Sequence, residues 1–447
     1  MKAAQTRSLG VETRSLLKRA LEIDPNFAMA YAQLGLSQSE AAAQNVAKAY
    51  ELRDQVSDWE NYFITFNYHR QGTGNLELAR QTLESWAQKY SDDLEPHALL
   101  AAFTSQTLGR YDKALEEGHT ALQLDPGFAM GYINVAWAYV YQDHLAEAEA
   151  MLRKASERKI DVLHLSLCRY FIAFLRNDKA AMERERTYRT AQFAPQGAFE
   201  YQEAVTLACR GRLKEAAERW DRALILSRQG GLLQQAALFQ GARAVWNALF
   251  GTRAEAQRNA ATALSLYRGR DADYGPAFAL AFLGDSRQAH EIEADLEKRY
   301  PDYTSAQFSY LPALRGREAL NRGDPVKAVE MTQTATAYEL GVPGTAYYSN
   351  AFFGALHPVY VRGLAFSRMG RFREAAAEFQ KIVDHPGLTL NDPIGPMARL
   401  QLARALSASG DRALSAAAYQ SLLTLWKDAD SDVPVAQEAK AESAKQH

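Results

Sequence analysis

The strongest constraint on this chain is a spacing. A glycine followed five residues later by alanine recurs along most of its length, as Gly74/Ala79, Gly109/Ala114, Gly211/Ala216, Gly251/Ala256, Gly284/Ala289, Gly323/Ala328 and Gly370/Ala375. Gly410/Ser415 is the last variant. The best-preserved copy is VYVRGLAFSRMGRFREAAAEFQKI, from Val359 to Ile382. Glycine tolerates the left-handed backbone that ends a helix. After Gly370, the residues Ala375, Phe379 and Ile382 return on one helical face. Each copy therefore reads as two helices around a tight turn.

The steps Ala114 to Ala148 and Ala121 to Ala155 are both 34 residues, with Asp143 taking the turn of the second unit. A period of that length is a helix–turn–helix repeat. Later turn-to-turn steps are 40, 33, 39, 47 and 40 residues, which places extra residues in loops or longer helices. One hairpin cannot bury its own apolar face, so neighbours must stack into a solenoid. Small residues at Gly35, Ala102, Ala136, Ala204, Gly316, Gly363 and Ala403 fall where helices should cross most tightly.

The expected organisation follows from the register. Residues 1–27 form a partial repeat, 28–160 and 197–338 regular units, and 161–196 a degenerate pair of helices without a turn glycine. Residues 339–358 form a long loop rich in glycine, proline and aromatics, 359–426 the C-terminal units, and 427–447 a polar capping tail. The chain reads as beginning in mid-repeat, which suggests a fragment or a stand-alone descendant of a longer protein.

Composition excludes several functions. The formal net charge is −2, and phosphate binding needs clustered lysine and arginine, so nucleic acid is not expected as a partner. Cys168 and Cys209 make no CxxC pair and no disulfide framework. No run approaches the ~18 apolar residues of a membrane span. The first residues carry no apolar signal core, so the expected location is the cytoplasm.

Catalytic and ligand motifs fail on inspection. The run Asp428-Ala429-Asp430-Ser431-Asp432 begins like a calcium loop, but Val433 stands where glycine is required and Ala439 where a bidentate glutamate is required. Gly72-Thr73-Gly74 lacks the third glycine of a dinucleotide site and reads as a repeat turn. His290-Glu291 is not followed by a second histidine at i+4, so it is no zinc-protease helix. No enzyme activity, cofactor or metal is expected.

In the recurring glycine, alanine, aromatic and proline positions, the chain resembles the tetratricopeptide-repeat superfamily along nearly its whole length. The stretches YVRGLAFSRMGRFREAAAEFQKIVDHPGLTLNDPIGPMARLQLARALSASGD and AYQSLLTLWKDADSDVPVAQEAKAE resemble something narrower, the C-terminal repeat region of bacterial eukaryotic-like serine/threonine kinases. The early AYELRDQVSDWE does so too. That resemblance implies an attached kinase domain, which this chain lacks. It has no glycine-rich phosphate loop, no lysine strand and no catalytic loop, and Asp273-Tyr274-Gly275 imitates only the metal-binding triplet.

The superfamily resemblance implies an all-α fold, a right-handed α-solenoid whose first helices line a concave groove that binds protein or peptide. In phase with the repeats, the groove positions are Tyr68, Phe103, Ile133, Asn134, Trp137, Tyr141 and Tyr201, then Arg317, Tyr360, Arg368 and Arg404. The first set is aromatic and amide, and the second is largely basic. The Lys/Asn/Arg clamp for a C-terminal carboxylate is not reproduced. The same aromatics also suit the packed interior of a superhelix. The expected function is a non-catalytic binding scaffold. The alternatives are the regulatory region of a kinase system and a self-associating structural module.

Overall fold

The computed structural model describes residues 11–36, 42–192, 197–343 and 354–445. Among these residues the fold is an all-α solenoid of stacked helix hairpins, with no strand. The hairpin Ala129–Tyr141/Leu145–Glu157 is followed by Leu163–Leu175/Lys179–Gln192 and Ala198–Cys209/Leu213–Gln229. The C-terminal half continues with Arg270–Leu283/Ser286–Arg299, Leu311–Asn321/Pro325–Gln333, His357–Arg368/Phe372–Val383 and Ile394–Ala408/Arg412–Leu425. A single helix, Pro434–Ala444, closes the array.

The repeat grammar has a direct structural cause. The turn glycines 74, 109, 211, 251, 284, 323, 370 and 410 all hold positive φ. Asp143 and Asn177 take the same conformation in their hairpins at φ +60° and +55°. Aspartate and asparagine tolerate that region better than other side chains, because they can bond their own backbone. The degenerate stretch is thus a hairpin whose turn residue is Asn177. The alanines five residues after each turn are fully buried, as is Ser415. A Cβ at Gly363 would stand 2.6 Å from the Phe379 ring, and one at Gly316 would stand 2.6 Å from Thr332 Cγ2. Those glycines let adjacent helices approach.

Local signals start the helices. Ser57 and Glu60 form a reciprocal capping box. Asn75, Asp324 and Asp411 accept hydrogen bonds from the first-turn amides of their helices. Proline begins the helices Pro325–Gln333 and Pro434–Ala444, where its missing N–H is not needed.

The solenoid is wound so tightly that its C-terminal half rests on its N-terminal half. The rungs join hairpin turns of the first half to inter-hairpin segments of the second. The Leu76 amide donates to Thr304 Oγ1 at 3.0 Å, and the Val342 amide donates to Gln106 O at 3.2 Å. The Gly387 amide donates to Asp143 Oδ1 at 2.7 Å, and Trp426 Nε1 donates to Cys209 O at 3.1 Å. The acidic run near 430 belongs to this ladder. Asp430 Oδ2 accepts from the Lys214 amide at 2.9 Å, capping a helix N-terminus 216 residues earlier in the chain. One apolar core consequently runs from Ala102 to Ala439, with a smaller one from Ala28 to Leu100.

Candidate functional site

The first helices of the hairpins carry the positions expected to line the inner face. In its first part that face is filled by the chain itself. The segment from Pro386 to Ile394 crosses it. Asn391 Nδ2 donates to Gln202 Oε1 at 3.3 Å and to Thr206 Oγ1 at 3.2 Å. His357 joins the same buried network, with Nε2 3.1 Å from Asp392 Oδ2 and Nδ1 2.8 Å from the Tyr274 hydroxyl. Tyr274 stacks on Tyr310 at 4.1 Å.

The aromatic and amide positions expected to line the groove lie mostly in this filled region. Ile133, Asn134, Trp137, Tyr141 and Tyr201 are buried. Trp137 packs on Tyr141 at 5.5 Å and on Phe171 at 5.8 Å, and Tyr201 stacks on Phe239 at 4.0 Å. The Asn134 side chain donates to Ala98 O at 3.3 Å. Tyr68 is half-buried against Tyr50 at 3.9 Å. Phe103 lies outside the residues whose side chains are described. None of the five buried side chains presents an open surface to a ligand in this conformation.

The basic positions differ. Arg317, Tyr360, Arg368 and Arg404 come from the first helices of three successive hairpins. Tyr360 is buried, with its ring 6.2 Å from Phe282. Burial pushes its hydroxyl well above the usual tyrosine range, against the pull of Arg317 and Arg404. Arg404 is neutralised from the tail, by Glu442 at 2.7 Å and Glu438 at 3.0 Å. Arg362, on the other side of its helix, is likewise held by Glu339 at 2.9 Å and Glu378 at 2.6 Å.

Arg317 and Arg368 have no such counter-ion among the described residues. Arg317 is half-buried and stacks over Phe282 at 4.5 Å. Its Nη2 makes one long bond, 3.5 Å, to Phe282 O, and its buried Nε has no hydrogen-bond partner. Burial, and then the charge of Arg368, lowers its proton affinity below that of an ordinary arginine. Arg368 itself is exposed. The arrangement leaves a guanidinium fork, on an aromatic platform beside a second cation, ready for a planar anion such as a carboxylate.

Sequence reasoning placed Arg317 and Arg368 in one set but could not separate them from Arg404. The acidic partners of Arg404 lie 34 and 38 residues away in the tail. Phe282 was missed. Its only signal was its place near the end of a first helix, equivalent to other inner-face aromatics. In the sequence His290-Glu291 is an incomplete motif. The structure puts Glu293 one turn from it and brings Glu318 beside both.

No family model matches the chain, and no curated protein matches it. Among solved structures, it is similar to the crystal structure of yeast Tom70, at 12% identity over 83% of this chain and 92% of that one, with a TM-score of 0.33. It is also similar to the APC/C hetero-tetramer Cut9–Hcn1, at 12% identity over 96% of this chain and 92% of that one, with a TM-score of 0.40. A third similar structure is the P58(IPK) TPR domain, at 14% identity over 87% of this chain and 98% of that one, with a TM-score of 0.23.

Proposed function

We propose that this chain is a tetratricopeptide-repeat scaffold that binds an acidic protein segment on the inner face of its C-terminal hairpins. The repeat period and the stacked hairpins support the scaffold. One observation carries the choice of partner. Arg317 holds a half-buried, incompletely bonded guanidinium next to Arg368, and neither pairs with a carboxylate among the described residues. A half-desolvated cation without a partner is unfavourable, and a bound carboxylate relieves that cost. Arginine on an aromatic platform is also a common centre of binding energy in interfaces. Phe282 is the platform, with Tyr360 packed beside it, and Arg368 supplies long-range attraction.

The test is fluorescence anisotropy with a dye-labelled peptide of alternating glutamate and leucine, compared with the same peptide carrying glutamine. Wild-type protein binds the glutamate peptide at least tenfold more tightly, and Arg317→Gln loses that preference. Equal binding of both peptides by the wild type sinks the reading. A place in a bacterial kinase signalling system rests on the sequence resemblance alone. A kinase gene directly upstream supports that context, and an unrelated gene argues against it.

A further inference from the structure

His290 and Glu293 stand one turn apart on the helix Ser286–Arg299 and share a face. Glu318 comes from Leu311–Asn321, the first helix of the next hairpin. His290 Nδ1 lies 3.5 Å from Glu318 Oε2 and 4.0 Å from Glu293 Oε2. One donor atom from each of the three residues falls within 4.8 Å of the others. Zinc with bonds of ~2.0–2.1 Å spaces its tetrahedral ligands roughly 3.3 Å apart, so the donors are close to a ligand triangle.

The two carboxylates are buried, with side chains 8% and 3% exposed, whereas His290 is 66% exposed. Each carboxylate has one oxygen on an arginine. Arg315 Nε donates to Glu293 Oε1 at 3.0 Å, and Arg322 reaches Glu318 Oε2 at 3.5 Å. Each also has an oxygen with no hydrogen-bond partner, Glu293 Oε2 and Glu318 Oε1, and both atoms are buried. Two like charges with orphaned oxygens are an unfavourable arrangement for the fold to keep. A cation among the three residues would satisfy the Glu293 oxygen that faces His290 and counter the charge of both carboxylates.

We infer that His290, Glu293 and Glu318 form a binding site for a first-row divalent cation, with zinc the best match. One imidazole with two carboxylates is a donor set for borderline cations more than for calcium or magnesium. The exposed histidine leaves a further position to water. The site would staple the second helix of one hairpin to the first helix of the next.

The experiment uses protein without a polyhistidine tag, stripped with chelator and titrated with zinc alone by calorimetry. Wild type takes up one equivalent, and zinc raises its Tm. His290→Ala and Glu318→Gln each weaken zinc binding at least tenfold. The first change is at an exposed position and the second keeps side-chain shape, so circular dichroism should report folded protein for both. The absence of saturable one-equivalent binding by wild type overturns the inference. So does unchanged affinity, or an undiminished rise in Tm, in both variants.

Discussion

The backbone amide of Gly387 donates a 2.7 Å hydrogen bond to Asp143 Oδ1, across 244 residues of sequence. Asp143 is the residue that replaces the turn glycine of its hairpin. Gly387 lies so close that a Cβ there would run into the carbonyl of Val140. This contact shows how a stack of local hairpins becomes a closed body. The turn of an early unit holds a loop of a late one, and the loop fills the inner face.

Gly387→Ala should therefore loosen the closure. The added methyl meets backbone, which cannot rotate away, and the cost should be about 1–3 kcal/mol. Urea denaturation followed by circular dichroism measures it. A midpoint equal to wild type would mean that the segment is not held against Val140.

Trp137 separates a groove from a core. The ring is buried between Tyr141 and Phe171. Trp137→Ala should cost about 3–5 kcal/mol, the range for deleting a large buried aromatic. If the variant melts like wild type, the ring faces open solvent and the inner face is not filled there.

The repeat crossing at Gly363 has the same logic on a local scale. Its missing Cβ makes room for the fully buried Phe379. Gly363→Val and Ala375→Leu should each overpack that interface by about 1–3 kcal/mol. Thermal melting reads the loss, and unchanged midpoints in both would break the assigned register.

The ion-pair cluster that pins residue 339 to the next hairpin sets a pH dependence. Burial alone would raise the pKa of Glu339. Hydrogen bonds from Lys381 and Arg362, at 2.7 and 2.9 Å, outweigh it and hold the carboxyl below the usual glutamate range. An acid with a depressed folded pKa stabilises the fold above its unfolded pKa of roughly 4.3, and loses that contribution as pH falls through the lower folded value. The stability gap between wild type and Glu339→Gln should be full at pH 7 and shrink below about pH 4. A gap that is constant with pH would show that the charge is not the cause. Arg362→Met, which leaves Glu339 and Glu378 with Lys381 as their remaining cation, should cost about 1–3 kcal/mol.

Much of this was legible in the residues, for a physical reason. Gly370, Ala375 and Phe379 encode a hairpin within one repeat, and contacts at i+4 and i+7 leave a periodic trace. Closure left none. The partners of Asp143, Gln202 and Cys209 lie about two hundred residues on, in segments between hairpins where no period operates. Trp137 and Arg404 illustrate the consequence. Their helix and their inward direction follow from phase. Whether the inner face is open or filled depends on the Pro386–Ile394 segment and on Glu438 and Glu442, which phase does not reach. Tail residues that cap the last unit also cancel the charge of Arg404, so of these three arginines only Arg317 and Arg368 lack a counter-ion among the described residues.

The most direct test of the proposed function is a charge swap at Arg368, which is exposed and can be changed without disturbing the core. Anisotropy titrations compare the glutamate–leucine peptide with a lysine–leucine peptide, for wild type and Arg368→Glu. Wild type should prefer the acidic peptide. The variant should lose at least tenfold affinity for it and gain for the basic one, with a weaker salt dependence for the acidic peptide. An unchanged ratio of the two affinities would contradict the account, because the cations on the C-terminal inner face would then play no part in choosing the partner.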